Sequence, residues 1–223
     1  MTDYLDAIET ETGPNPTASV IWLHGLGDSG HGWSAVVPAL QLPRGVAVRF
    51  VFPHAPEIPV TINGGMRMPA WYDIKAADFN DRADLTGIRR SQAQIEQLIA
   101  REIERGVASE RIFLAGFSQG GAIVLYAGLR STHKLGGIIA MSTYLVDGES
   151  LATEASAVNR DTPIFMAHGT YDNVVRFEWG EGSKDFLQRS GWPVEWHIYP
   201  MDHNAVPEEI AAVSAFLLAE LTR

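Results

Sequence analysis

Six short apolar runs, each with at most one charged residue, constrain the fold of this 223-residue chain more than any other feature. They are Ser19–Leu23, Val46–Phe52, Arg111–Gly116, Gly137–Met141, Pro163–Ala167 and Val194–Tyr199. Runs of this length and composition are typical of strands that are buried on both faces, as in a parallel sheet.

Amphipathic helical patterns lie between these runs. In Ile88–Ile103 the apolar residues at 88, 95, 98, 99 and 103 form one stripe, and Pro207 followed by Glu208 and Glu209 favours the start of a last helix. This alternation predicts an α/β fold in which a mostly parallel central sheet carries helices on both faces. We expect one domain over residues 1–223, with its ligand site beyond the carboxyl ends of the strands.

Charge and composition exclude several classes of function. The formal net charge is −10 and no Lys/Arg-rich run occurs, so we expect no nucleic-acid partner. The chain has no cysteine, which excludes disulfides and thiolate metal sites and fits a cytoplasmic protein. The histidines lack metal-ligand spacing and no P-loop or dinucleotide motif occurs, so we expect no metal and no cofactor. Ile112–Leu129 is uncharged and long enough to span a membrane, but its central glycines favour a strand, a turn and a helix.

One segment, Pro53–Arg82, does not fit the alternation. It contains four prolines, and Asn63-Gly64 within Val60–Met66 is a hairpin signal. Its apolar residues leave two interpretations, a flap over the sheet edge or the apolar wall of a binding groove, and we favour the groove.

The most informative motif is Gly116-Phe117-Ser118-Gln119-Gly120, which has the G-x-S-x-G form of a nucleophile elbow. A buried-strand pattern precedes it and a helix-compatible run follows it, as the motif requires. This context predicts that Ser118 is a nucleophile presented on a sharp turn between a strand and a helix.

An activated serine needs a base and an orienting acid, which follow it in the chain in this arrangement. His203 lies in a short loop between the last predicted strand and the last predicted helix, and we expect it to be the base. His197 falls inside a strand pattern, and His168 is expected to be a turn residue held by backbone groups.

Asp172 follows the run Pro163–Ala167 and is the expected acid, which would fix the tautomer of the base. Asp147 and Asp161 are its competitors, but Asp161 precedes a strand and would lie at the wrong end of the sheet. For the oxyanion hole we expect the backbone N–H groups of Gln119 and of Leu26, which lies in a glycine-rich loop after the first run.

Together these segments resemble the bacterial carboxylesterase and acyl-protein thioesterase family of α/β-hydrolases. The matching motifs are LHGLGDSG at 23–30, AWYD at 70–73, GFSQGG at 116–121, HGTYDNVV at 168–175 and the His203 loop. The resemblance implies the α/β-hydrolase fold, the triad and oxyanion donors named above, and no cofactor. It also implies that the loop through Trp71 lines an acyl groove and that the chain can form a homodimer.

The resemblance departs from the family pattern at Asp202, where glycine usually precedes the base. Aspartate tolerates a left-handed backbone better than most residues, so we expect the loop to keep its form. We expect a serine carboxylesterase that acts on small-molecule acyl esters through an acyl-enzyme. The alternatives are an acyl-protein thioesterase or lysophospholipase using the same site, and a non-catalytic binding module. The expected groove residues are Ile62, Met68, Trp71, Val174 and Val175.

Overall fold

The computed structural model describes residues 4–76 and 84–223, so the end of the segment Pro53–Arg82 lies outside the described residues. The strands are β1 (Ala7–Glu11), β2 (Ala18–Leu23), β3 (Val48–Pro53), β4 (Glu57–Val60), β5 (Met66–Pro69), β6 (Ile112–Phe117), β7 (Gly137–Met141), β8 (Ile164–Gly169) and β9 (Val194–Tyr199). The helices are α1 (Gly30–Ser34), α2 (Val36–Ala39), α3 (Leu85–Glu104), α4 (Gln119–Gly128), α5 (Leu151–Glu154), α6 (Phe177–Arg189) and α7 (Pro207–Leu221).

The main sheet of the described chain has the strand order β1-β3-β2-β6-β7-β8-β9. All its strands run parallel except β1, which pairs antiparallel with β3. Each of the six predicted apolar runs corresponds to one of its strands, and the predicted mostly parallel sheet is confirmed. The central position of β2, β6 and β7 explains why their residues are almost wholly apolar, since both faces are covered.

Helices cover both faces of this sheet, as predicted. Alternate residues of β2 show the division, because Ile21 and Leu23 belong to a core shared with α3, α4 and α6, whereas Val20 and Trp22 belong to a core shared with α2 and α7. This arrangement leaves the carboxyl edge of the sheet to the loops that follow β2, β6, β8 and β9.

The edge strand β1 was not predicted, because its sequence is acidic. Its charges are neutralised by residues distant in the chain: Glu9 binds Arg105 at 2.9 Å, and Arg49 binds both Glu11 and the fully buried Glu102 at 2.9 Å. Ion pairs therefore supplement the backbone pairing of this edge strand with β3 and link it to α3 and to Arg105 at the end of that helix.

The predicted hairpin is formed by β4 and β5, joined by a short 3₁₀ turn over Thr61–Asn63. Gly64 and Gly65 follow with φ of 67° and 79°, a backbone region that glycine adopts without steric cost. The Asp73 carboxylate accepts hydrogen bonds from the backbone and hydroxyl of Thr61 at 2.7 and 2.6 Å, which fastens the hairpin tip to the chain beyond it.

In residues 4–76 and 84–223 we find no helix with both the length and the apolar composition needed to cross a bilayer. The uncharged Ile112–Leu129 forms β6, a sharp turn at Ser118 and α4, as predicted.

Candidate active site

Three side chains predicted to act together meet at the carboxyl edge of the sheet. Ser118 follows β6, Asp172 follows β8, and His203 lies in the loop between β9 and α7. The His203 Nε2 atom is 2.9 Å from Ser118 Oγ, and its Nδ1 atom is 2.7 Å from Asp172 Oδ2. This chain of hydrogen bonds links a hydroxyl, an imidazole and a carboxylate in the geometry that an activated serine requires.

The turn at Ser118 is strained, with φ of 54° and ψ of −119°. A Cβ atom on Gly116 would lie 2.5 Å from the Gly120 carbonyl carbon, and one on Gly120 would lie 2.6 Å from the His24 carbonyl oxygen. The two glycines of the motif are therefore needed because β6, α4 and the loop after β2 approach one another too closely for any side chain. Strain of this kind is typical of functional sites.

The Asp172 side chain is fully buried and is held at both oxygens. Its Oδ1 atom accepts hydrogen bonds from the backbone N–H groups of Val174 and Val175 at 2.9 and 2.8 Å, which leaves Oδ2 facing His203. Burial alone raises the pKa of Asp172, but the interactions with His168, His203 and Val175 outweigh it and hold that pKa well below its usual range. Asp172 is therefore ionised at neutral pH.

The base loop packs tightly against the end of β8. A Cβ atom on Gly169 would lie 2.6 Å from the Asp202 carbonyl oxygen, and the His203 ring lies 4.8 Å from the ring of Phe117. Asp202 is exposed and is not among the described non-glycine residues with positive φ. The left-handed backbone considered for this position is therefore absent, and the loop accommodates aspartate without it.

The competing residues have other partners. His168 is a fully buried residue of β8 and does not lie in a turn as expected. Its Nε2 atom lies 2.8 Å from the Val175 carbonyl oxygen, the expected backbone contact, and 3.5 Å from Asp172 Oδ2. His197 stacks on Phe165 within the sheet packing, with ring centroids 4.8 Å apart. Asp161 pairs with Lys134 at 2.5 Å at the amino end of β8.

A cavity of about 670 Å³ opens over Ser118 and His203. Of the predicted groove residues, Ile62, Val174 and Val175 line it, and so do the predicted oxyanion donors Leu26 and Gln119. Across the described ranges, neither the Leu26 nor the Gln119 backbone N–H bonds to a protein acceptor. Both are therefore available to an oxygen atom bound in the cavity.

Trp71 and Met68 do not line this cavity, contrary to the prediction. Trp71 is fully buried, with its indole N–H donating to the His24 carbonyl and its backbone N–H donating to Gln119 Oε1, both at 2.8 Å. Met68 contacts a lining residue, since Asn63 Nδ2 lies 3.3 Å from its sulfur. The aromatic loop that resembles a groove wall is thus a core element that joins the loops after β2 and β6.

Several cavity residues were missed by the sequence analysis. They are Trp33, Ile74, Tyr144, Arg176 and Trp179, which all line the cavity. Tyr144 could have been found, because it follows β7 at the same carboxyl edge that identified Asp172. The others carry no local pattern that separates a cavity wall from ordinary packing. Within the described residues no cluster of three or more His, Cys, Asp or Glu side chains could hold a metal ion.

Comparison with known proteins identifies the family of this chain. The phospholipase/carboxylesterase family model matches residues 6–221. Acyl-protein thioesterase 1 of Neurospora crassa is 46% identical over 216 residues, which cover 93% of this chain and 88% of the relative. The corresponding protein of Gibberella zeae is 45% identical, covering 92% and 91%.

Solved structures of similar proteins have the same fold. Acyl-protein thioesterase 2 of Zea mays superposes with a TM-score of 0.85 at 29% identity, covering 97% of this chain and all of that one. Arabidopsis thaliana SOBER1 superposes with a TM-score of 0.86 at 29% identity, covering 92% of this chain and 99% of that one. The chain therefore belongs to the phospholipase/carboxylesterase family of α/β-hydrolases and is an enzyme that hydrolyses carboxylic esters.

Proposed function

We propose that this hydrolase is an acyl-protein thioesterase in which Ser118 is the nucleophile, His203 the general base and Asp172 the orienting acid. The observation that carries the proposal is the continuous contact from Ser118 Oγ to His203 at 2.9 Å and from His203 to Asp172 at 2.7 Å. Ser118 and His203 line a cavity that is large enough for an acyl chain.

In the first half of the reaction, Ser118 Oγ attacks the acyl carbonyl carbon while His203 Nε2 takes the hydroxyl proton. The tetrahedral intermediate collapses as the bond to the leaving sulfur breaks, and His203 returns its proton to that sulfur. Water, deprotonated by His203, then attacks the carbonyl carbon of the acyl-enzyme. The bond from this carbon to Ser118 Oγ breaks, His203 returns the proton to Oγ, and the free acid leaves. Asp172 stabilises the imidazolium formed in each half-reaction without taking its proton.

Two backbone donors would hold the negative oxygen in both half-reactions, Leu26 N–H and Gln119 N–H. Gln119 is the first residue of α4, so the helix dipole also favours negative charge at this point. Losing one such donor typically lowers turnover by ~10²–10³.

The thioester assignment is favoured by the relatives, which are named acyl-protein thioesterases and share 45% and 46% identity over nearly the full chain. The chemistry is compatible with it, since a cysteine thiol has a pKa of about 8.5 and its thiolate leaves readily. The cavity wall supplies apolar side chains, Ile62, Val174 and Val175, to hold an acyl chain. Hydrolysis of simple oxygen esters by the same site is the second candidate, favoured by the family match.

The test compares two palmitoylated peptides that are identical except for the acylated residue. One carries the acyl group on a cysteine sulfur and the other on a serine oxygen. We expect the thioester to be cleaved with the higher kcat/KM, and Ser118→Ala to lower turnover by up to ~10⁶ on both. p-Nitrophenyl esters from acetate to palmitate measure the chain length that the cavity accepts.

A control is Ser214→Ala, since Ser214 is a buried serine on α7 whose hydroxyl donates a hydrogen bond to the Leu40 carbonyl, away from the cavity. It should keep wild-type activity. Preferential cleavage of the oxygen ester would replace the thioesterase assignment with the carboxylesterase one. Equal activity of Ser118→Ala and wild type would overturn the triad itself.

The single domain, the homodimer and the cytoplasmic location stay predictions.

A further inference from the structure

The two peptide groups that carry the proposed oxyanion donors also accept side-chain hydrogen bonds at their carbonyl oxygens. In a trans peptide the C=O and N–H bonds point in opposite directions within one plane. The Leu26 N–H therefore shares its plane with the Gly25 carbonyl, and the Gln119 N–H shares its plane with the Ser118 carbonyl. Fixing either carbonyl fixes the direction of the corresponding N–H.

A buried histidine holds the first of these carbonyls. His24 is fully buried, with Nδ1 2.7 Å from the Gly25 carbonyl oxygen and Nε2 3.0 Å from the Ala55 backbone nitrogen. Because the Ala55 N–H can only donate, Nε2 is the unprotonated atom and the ring proton lies on Nδ1. Burial lowers the pKa of His24, which keeps the ring neutral in this tautomer. Nδ1–H then donates to the Gly25 carbonyl.

A buried threonine holds the second carbonyl. Thr143 is 1% exposed, and its hydroxyl donates to the Ser118 carbonyl oxygen at 2.7 Å. The same oxygen also accepts the Ala122 N–H of α4 at 3.1 Å. The Thr143 hydroxyl is thus additional to the helix bond and is not needed to satisfy an otherwise unpaired carbonyl.

Trp71 ties the two supports together. Its indole N–H binds the His24 carbonyl and its backbone N–H binds the Gln119 side chain, so one residue fixes the separation of the two loops. The Gln119 Nε2 atom also donates to the Tyr72 carbonyl at 2.8 Å. In the described parts of the chain, neither His24, Thr143 nor Trp71 lines the cavity, so contact with substrate does not account for them.

We propose that His24 and Thr143 are positioning residues that orient and polarise the two oxyanion peptides. A hydrogen bond to a peptide carbonyl withdraws charge toward that oxygen and makes the N–H of the same peptide a stronger donor. A stronger N–H donor stabilises the substrate oxygen most when that oxygen becomes negative. The hydrogen bonds to the carbonyls therefore stabilise the transition state more than the bound substrate. This inference rests on the proposed function, which supplies the oxyanion.

The test uses substitutions that remove only the donor. Thr143→Val and His24→Leu lose it, whereas Thr143→Ser and His24→Asn retain a donor at a similar position. We expect each donor-less variant to lower kcat about 10-fold, a fraction of the effect of losing a whole oxyanion donor, with KM changed less than about 2-fold. The retaining variants should recover most of kcat.

A second measurement separates positioning from loss of structure. An alkylboronic acid forms a tetrahedral adduct with the serine whose oxygen occupies the oxyanion position, and its Kd should rise by the same factor as kcat falls. Thr162→Val is the matched control, because Thr162 is equally buried but donates to Asn159 at the other end of β8. It should leave kcat and the boronic acid affinity unchanged even if it lowers Tm.

The outcomes are distinguishable. Wild-type kcat and boronic acid affinity in both Thr143→Val and His24→Leu would overturn the inference while leaving the proposed function intact. A fall in kcat without any change in boronic acid affinity would overturn it too, since the oxyanion site would then be undisturbed. Absence of ester and thioester hydrolysis by the wild type would overturn the proposed function and, with it, the inference.

Discussion

Glu209 offers a sharp test of how burial controls ionisation in this fold. It lies in the first turn of α7, is fully buried, and neither carboxylate oxygen has a hydrogen-bond partner of normal geometry within the described chain. Burial raises the pKa of Glu209 from 4.5 to about 8, although the Val206 backbone opposes the shift. The side chain that favours the helix start in the sequence is therefore protonated in the folded protein at neutral pH.

The sign of the effect follows from proton counting. Between pH 4.5 and about 8 the folded state holds a proton on Glu209 that the unfolded state has lost, so the free energy of unfolding falls as pH rises. The slope is about 1.4 kcal/mol per pH unit, which amounts to roughly 5 kcal/mol over the whole interval. Above the folded pKa both states are ionised and the effect is constant.

Glu209→Gln removes this titration while keeping the shape of the side chain. Urea unfolding of both proteins at pH 5, 6.5, 8 and 9.5 gives the difference in free energy of unfolding. We expect it to shift in favour of the glutamine variant by about 4 kcal/mol between pH 5 and 8 and then to level off.

The matched control is Ile210→Val, which removes one buried methylene from the adjacent residue and titrates nothing. Its cost, about 1 kcal/mol, should not change with pH. The amide introduced by Glu209→Gln adds a constant offset, so the pH slope is the decisive quantity. A flat difference between Glu209→Gln and wild type would refute the reasoning, because Glu209 would then ionise equally in both states.

Three further predictions concern stability and turnover. Glu102→Gln should lower the free energy of unfolding by about 3–5 kcal/mol in urea titrations, because it leaves Arg49 without its buried counter-charge; retention of wild-type stability would show that the ion network is idle. Asp172→Asn should lower kcat by about 10⁴ with little change in KM, since the amide favours the wrong tautomer of His203; a KM effect alone would contradict this. Trp71→Phe should lower kcat/KM by the same factor for short and long acyl chains. A loss confined to long chains would instead show that Trp71 contacts the acyl chain.

The parts of the fold that follow from local patterns were predictable from the sequence. The strand before Ser118, the glycines around it and the helix after it lie close together in the chain, so one short motif carries the signal for all three. The strand β1 was not, because its stability comes from Arg49 and Arg105, which lie far along the chain. Nor was α6, whose interior glycines weaken a helical pattern. Gly180 leaves room for the His168 ring, since a Cβ atom there would lie 2.2 Å from Nδ1 of that ring.

Some residues of the candidate site could likewise be predicted from the sequence and others could not. Ser118, Asp172 and His203 could be identified because each comes at the end of a strand and has a fixed chain order. Trp71 could not be placed, since an aromatic residue in an apolar loop fits a groove wall and a core equally well. Only the contacts with His24 and Gln119 distinguish the two, and they join residues 47 and 48 positions apart.

The turn after β8 has a consequence for how this enzyme can change. The N–H groups of Val174 and Val175 hold Asp172, and the same two residues line the cavity. We therefore expect mutations that resize this wall to displace Asp172, the proposed acid, as well. A new acyl preference acquired there would then be coupled to a lower rate. Ile62, at the hairpin tip, has no such link to the proposed triad within the described contacts. Divergence in acyl preference, natural or engineered, should therefore accumulate in the hairpin first.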